Sequence, residues 1–126
     1  MTLVLTELQI QTAAMEYVQI MRNVDERFKL VFAVPNGGKR GFYAQKQAKK
    51  EGLTAGVSDV LVLCPNHDNT YTGACFEFKS KKGKLTKHQE QFLDTAVRHG
   101  NFIAVIRDAK DFINMINNYF GINNQV

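Results

Sequence analysis

Cysteine is scarce in this chain, with only Cys64 and Cys75 among 126 residues. Both read as small core residues rather than parts of a disulfide framework. A zinc site built from Cys64, His67 and Cys75 lacks a fourth ligand at recognisable spacing. Long apolar runs are absent too, none approaching the roughly 18 residues of a membrane span. The N-terminus has no basic region leading into an apolar stretch. These absences lead to the expectation of a soluble, cytoplasmic protein with no membrane partner. There are no internal repeats and no linker-like segments, so residues 1–126 read as one domain.

What is present is 44% apolar, which excludes wholesale disorder. The net charge of +4 favours polyanionic partners. Its distribution says more than the sum. Lys79, Lys81, Lys82, Lys84 and Lys87 form one cluster, and Lys39, Arg40, Lys46, Lys49 and Lys50 form another. Either alone is ordinarily a solvated surface.

Two β-rich runs, Gly56–Cys64 and Thr72–Lys79, flank the polar stretch Pro65-Asn66-His67-Asp68-Asn69 and predict an antiparallel hairpin. With the tip centred near Asp68, opposed residues have numbers summing to about 136. Asp59 then faces Glu77, and Lys79 shares their face at i+2. Cys64 and Cys75 are not directly opposed. Two carboxylates so close repel unless a proton or cation sits between them, and a divalent metal is the natural occupant. A slip of one residue would separate the pair. In the alternative reading, Asp59 ends a turn while Glu77 and Lys79 decorate a wet sheet face.

The remaining elements follow from caps and periodicity. Thr6-Glu7-Leu8-Gln9 has capping-box form and opens a helix to about Arg22, with Ile10, Ala14, Tyr17, Val18 and Met21 as its apolar stripe. Glu7 in its first turn serves the helix dipole or adds a carboxylate to the site. Lys29–Val34 reads as a strand stopped by Pro35. Asn36-Gly37-Gly38-Lys39-Arg40-Gly41 is a glycine-rich basic loop without the spacing of a P-loop, suited to phosphates or to a plain turn. Phe42 to Glu51 reads as a helix ended by Gly52.

Ser80–Leu85 is a lysine-rich connector. Thr86-Lys87-His88-Gln89 repeats the capping box and opens a helix to about His99, so Gln89 is either a cap partner or a site residue. Phe102–Ile106 predicts a buried strand. Asp108 caps a final helix whose Phe112, Ile113, Met115, Ile116, Tyr119 and Phe120, with Ile122 beyond it, span more of the surface than one core needs. The order α-β-α-β-β-α-β-α predicts an α/β fold around a mixed sheet.

Gly56-Val57-Ser58-Asp59, Phe76-Glu77-Phe78-Lys79 and Leu85-Thr86-x-x-Gln89 together resemble the signature of the VRR-Nuc domain family, within the PD-(D/E)xK nuclease superfamily. Val34-Pro35-Asn36-Gly37-Gly38-Lys39-Arg40 is similar to a loop of its stand-alone phage and bacterial members. The resemblance implies a restriction-endonuclease-like mixed sheet flanked by helices, and a metal-dependent endodeoxyribonuclease selective for branched DNA. It implies that Asp59 and Glu77, joined by the Phe78 carbonyl, bind Mg²⁺ or Mn²⁺. Lys79 would orient the attacking water or stabilise the transition state, with Gln89 and Glu7 completing the catalytic set. Ser58 stands where the usual signature has proline, and Ile10 where some members carry an acid.

Asn36, Gly37, Gly38, Lys39, Arg40, Lys81, Lys82 and Lys84 are the expected DNA contacts, in a homodimer acting in the cytoplasm, that of the host if phage-encoded. No histidine is required by a hard-oxygen metal site. The competing readings are a basic DNA-binding module without catalysis and a non-selective duplex nickase.

Overall fold

Residues 4–35, 46–47 and 49–123 are described by the computed structural model. Its frame is a four-stranded sheet in the order β1-β2-β3-β4, with β1 Val31–Ala33, β2 Val60–Val62, β3 Gly73–Phe78 and β4 Asn101–Ile106. The first three strands are antiparallel neighbours, and β4 runs parallel to β3. That mixture matches the α/β expectation. A parallel pair needs a crossover, and helix α2, Lys87–Arg98, supplies it between β3 and β4.

Helix α1, Glu7–Met21, and helix α3, Ala109–Phe120, pack on the other face. There Ile10, Ala14 and Val18 meet Phe112, Ile116 and Phe120 over the inward side chains of Val31, Val60, Val62, Phe76 and Phe78. Aromatic edges interlock at this centre, with Phe76 and Phe112 at 5.0 Å and Phe28 and Phe120 at 5.1 Å between ring centroids. Truncating Phe76 or Phe112 to alanine would cost about 3–5 kcal/mol by the usual scale for buried aromatics.

The local chemistry explains the boundaries. Thr6 and Thr86 each close a full capping box, with Gln9 and Gln89 as reciprocal partners. Asp108 caps α3, which ends where Gly121 takes the left-handed conformation at φ 71°. Between β2 and β3, Asn66 accepts from the Tyr71 N–H at 2.8 Å and donates to Asp68 at 2.9 Å, building the tip that turns the hairpin.

Three expectations are corrected or fall outside the described residues. Lys29 and Leu30 belong to a 3-10 turn, Glu26–Leu30, rather than to a strand. Asp25 caps that turn by accepting from the Arg27 N–H, and the strand begins at Val31, two residues later than expected. The final helix has no spare apolar face: Phe112, Ile116, Tyr119 and Phe120 are buried, while Ile113, Met115 and Ile122 pack against the same core. Its partner is α1, whose Tyr17 Oη donates to Asn117 Oδ1 of the final helix at 2.6 Å. Asn36–Gly41 and half of the helix expected over Phe42–Glu51 lie outside the described residues. Lys46, Gln47, Lys49 and Lys50 are helical there, and the Glu51 N–H bonds the Gln47 carbonyl at 3.0 Å.

Candidate active site

The hairpin register fixes the site. Val60 pairs with Phe76, and Leu61 with Cys75, so the sums are 136 as the sequence predicts. One step further along the same ladder, Asp59 stands beside Glu77. Side chains at these odd positions leave the face opposite the aromatic core, beneath α2. Glu77 is only 2% exposed, so it does not decorate a wet surface. Lys79 is 8% exposed, and neither carboxylate nor lysine fits the solvated-face reading.

Every bond around the pair is specific. The Asp59 N–H donates to Glu77 Oε2 at 3.3 Å, and the Phe78 N–H donates to Asp59 Oδ2 at 2.7 Å. Gln89 Nε2 donates to Glu77 Oε1 at 2.6 Å, while its Oε1 accepts from the Thr86 N–H at 2.9 Å. Gln89 is thus cap partner and site residue at once. Glu7, at the start of α1, lies 3.5 Å from Lys79 Nζ. The structure therefore brings together Glu7, Asp59, Glu77, Lys79 and Gln89 from α1, β2, β3 and α2. Strand alternation turns the Phe78 carbonyl to the same side as its N–H, toward Asp59.

Electrostatics mark the pair as short of positive charge. Burial and then the negative charge of Asp59 push the Glu77 carboxyl up to about 7; the Lys79 cation and the Asp59 N–H pull the other way. Burial also raises Asp59, opposed chiefly by the Phe78 N–H and with Glu7 adding to the rise. Two adjacent carboxylates with raised proton affinity, Glu77 buried and Asp59 half-buried, form a hard-oxygen donor set that fits Mg²⁺ or Mn²⁺. Among the described residues, no group of three or more His, Cys, Asp or Glu side chains is placed to hold a metal ion. Coordination would thus rest on Asp59 and Glu77, completed by a carbonyl such as that of Phe78 and by water. Glu7 stays with Lys79. His67, His88 and His99 are exposed, and the Cys64–His67–Cys75 set is no zinc site.

Gly56 has a role that spacing alone did not reveal. It sits at φ 86°, and a Cβ there would fall 2.4 Å from the His88 carbonyl oxygen. Only glycine lets the loop that delivers Asp59 press against the first turn of α2, which delivers Gln89. The two arms of the site are thereby held in one contact. Among the expected DNA-contacting residues, Lys81, Lys82 and Lys84 are exposed on the turn after Lys79, whereas Asn36, Gly37, Gly38, Lys39 and Arg40 lie outside the described residues.

Among the described residues, no helix is long and apolar enough to cross a membrane. No curated protein matches the chain. One solved structure, a VRR_NUC domain protein, superimposes with a TM-score of 0.76 at 20% identity, over 97% of this chain and 93% of that one. At that identity the likeness establishes the fold. The family model of the VRR-NUC domain matches residues 5–109, which include all five clustered site residues. The chain belongs to the VRR-NUC domain family, whose members are generally nucleases.

Proposed function

We propose that this protein is a metal-dependent endodeoxyribonuclease that hydrolyses phosphodiester bonds in branched DNA, with Mg²⁺ or Mn²⁺ as cofactor. The observation that carries the reading is the Asp59–Glu77 pair, Glu77 buried and Asp59 half-buried beside it, whose carboxyl groups hold protons more tightly than isolated acids. A module that only bound DNA would gain nothing from burying Glu77 against a second carboxylate, since that burial is unfavourable without a compensating cation.

In this reading Asp59 and Glu77 hold the metal, with the Phe78 carbonyl as a further oxygen. When bound, a divalent ion lowers the pKa of water and polarises the phosphoryl oxygen for in-line displacement. Gln89 holds the Glu77 carboxylate in one orientation through the 2.6 Å bond. The Lys79 ammonium stands where negative charge grows on the phosphoryl oxygens, and Glu7 keeps it there in the resting site. Lys81, Lys82 and Lys84 neutralise neighbouring phosphates, and Asn36, Gly37, Gly38, Lys39 and Arg40 extend that track.

A homodimer completes the proposal, since paired cuts across a junction need two sites related by symmetry. The final helix lends this dimer little support, because its apolar residues pack against the chain's own core, Ile113, Met115 and Ile122 only partly buried there. Light scattering decides the point: a mass fixed at 14.3 kDa across micromolar concentrations removes the dimer.

The decisive experiment for activity is cleavage of a panel of four-way junctions, flaps, nicked and plain duplexes, with Mg²⁺, Mn²⁺ or EDTA. Junction or flap cutting that needs the metal is the expected result. DNA binding without cleavage would leave a basic binding module. Equal nicking of every duplex would leave a non-selective nickase.

A further inference from the structure

Arg107 follows β4 directly and belongs to none of the signature motifs. Its Nη1 donates to three carbonyl oxygens of a single turn: Ser80 at 2.7 Å, Gly83 at 2.8 Å and Lys81 at 3.3 Å. A nitrogen with two hydrogens cannot serve three acceptors equally, so the two short bonds carry the hold. The turn is closed from within as well, the Gly83 N–H donating to the Ser80 carbonyl at 3.0 Å.

The inner side of this turn lies on Lys79. A Cβ added at Gly83 would come within 3.5 Å of Lys79 Cδ, so the glycine backs directly onto the lysine stem. The turn's own lysines, Lys81 and Lys82, and Lys84 just after it are exposed, while Lys79 is buried. The Lys79 N–H also donates to the Ile106 carbonyl at 2.8 Å, so Lys79 and Arg107 are set by the same strand pair. Carbonyl oxygens carry the partial negative charge that a guanidinium needs, and charge-assisted bonds of this kind are stronger than neutral ones. Without them, a turn bearing several cations would be pushed open by its own repulsion.

We infer that Arg107 is a positioning residue for Lys79: its guanidinium clasps the 80–83 turn shut over the lysine stem and fixes the ammonium beside Glu7, Asp59 and Glu77. A free lysine would have to surrender its rotamer freedom during the reaction, whereas a clasped one has surrendered it on folding. The catalytic consequence rests on the nuclease reading above; the clasp itself does not.

The test separates the two. Wild type, Arg107→Ala and Arg107→Lys are treated with an amine-acylating reagent, and modification of Lys79 is followed by mass spectrometry, with exposed Lys29 as internal control. Loss of the clasp should raise the Lys79 acylation rate about fivefold in Arg107→Ala through local opening. Arg107→Lys, whose ammonium can still donate to the turn carbonyls, should restore most of the protection. In the cleavage assay, Arg107→Ala should lose about tenfold in kcat with little change in KM, as expected for lost positioning. Lys79 labelling at the wild-type rate in Arg107→Ala overturns the clasp. Faster labelling with unchanged kcat overturns the positioning role. If wild type cleaves no DNA, the nuclease reading fails while the labelling still decides the clasp.

Discussion

Gln89 divides its amide between two partners, its oxygen taking the Thr86 N–H and its nitrogen reaching Glu77 Oε1 at 2.6 Å. The helix cap and the carboxylate site are therefore one hydrogen-bonded unit. A capping box fixes the N3 side chain near its own helix start, and α2 starts where β3 ends. The same geometry that satisfies the orphan N–H of the helix aims the spare amide hydrogens at the acid.

Thr86→Ala and Gln89→Ala should consequently separate cap from site. Thr86→Ala removes an N-cap and should cost about 1 kcal/mol of stability, yet leave kcat within about threefold. Gln89→Ala loses the cap partner and also frees Glu77, so kcat should fall by about tenfold or more. Melting curves and single-turnover cleavage on the same preparations check this. A Thr86→Ala enzyme as slow as Gln89→Ala would make the glutamine a cap and nothing else.

Much of this site is legible in the sequence, and the reason is periodicity. A strand alternates faces with period two, so a hairpin tip near Asp68 already places Asp59 beside Glu77, as the Val60–Phe76 pairing has it. Thr-x-x-Gln at 6–9 and 86–89 is a local pattern with a local cause. Contacts between distant segments are another matter. Arg107 meets carbonyls 24 to 27 positions away, and Gly56 meets His88; no spacing rule encodes either. The apolar sweep of the last helix misled because α1 and the sheet cover it from two sides, and one helix viewed alone does not show that. The 3-10 turn at Glu26–Leu30 was hidden behind an apolar run that a strand explains equally well.

Asp59→Asn and Glu77→Gln should each reduce cleavage by at least about a hundredfold, since either removes half of the carboxylate donor pair. Their stabilities without metal should differ. Asparagine keeps an oxygen for the Phe78 N–H while discharging the pair, so Asp59→Asn should melt at or above the wild-type temperature. Glutamine has one acceptor where Glu77 uses two, taken by Gln89 and the Asp59 N–H, so Glu77→Gln gains less. Near-native cleavage by either variant would remove these residues from the site.

The pH dependence follows from Glu77, whose folded-state carboxyl is pushed up from 4.5 to about 7. Between those values the folded protein holds more protons than the unfolded chain, so metal-free stability falls as pH rises. The contribution is fully present below the unfolded pKa and is lost as pH passes through the folded one. Asp59, also raised, acts in the same direction. Mg²⁺ or Mn²⁺ competes with the proton, so the rise in Tm on adding metal should be larger at pH 8 than at pH 6. Calorimetric scans at the two pH values measure it. Equal shifts would mean that the ion binds away from Glu77.

Lys79→Ala should leave metal affinity nearly intact and lower turnover, because the ammonium bonds Glu7 rather than the Asp59 or Glu77 carboxylate. Titration calorimetry with Mn²⁺ alongside kcat reads the two effects separately. If Lys79→Ala loses the metal as completely as Asp59→Asn does, the lysine organises the carboxylates instead of acting on the phosphate.

The exposed lysines of the clasped turn and its exit give the last expectation, and it concerns DNA alone. If Lys81, Lys82 and Lys84 each meet a phosphate, every alanine substitution releases one fewer counterion on binding. The slope of log K against log salt on duplex should then flatten by roughly 0.9 per lost contact. The triple variant should weaken binding at low salt far more than at high salt, because screening already removes these contacts at high ionic strength. Fluorescence anisotropy with Ca²⁺ in place of Mg²⁺, to hold cleavage off, supplies the binding constants. A triple-alanine protein with the wild-type slope would leave these lysines as solvated charge and shift the phosphate track to other parts of the surface.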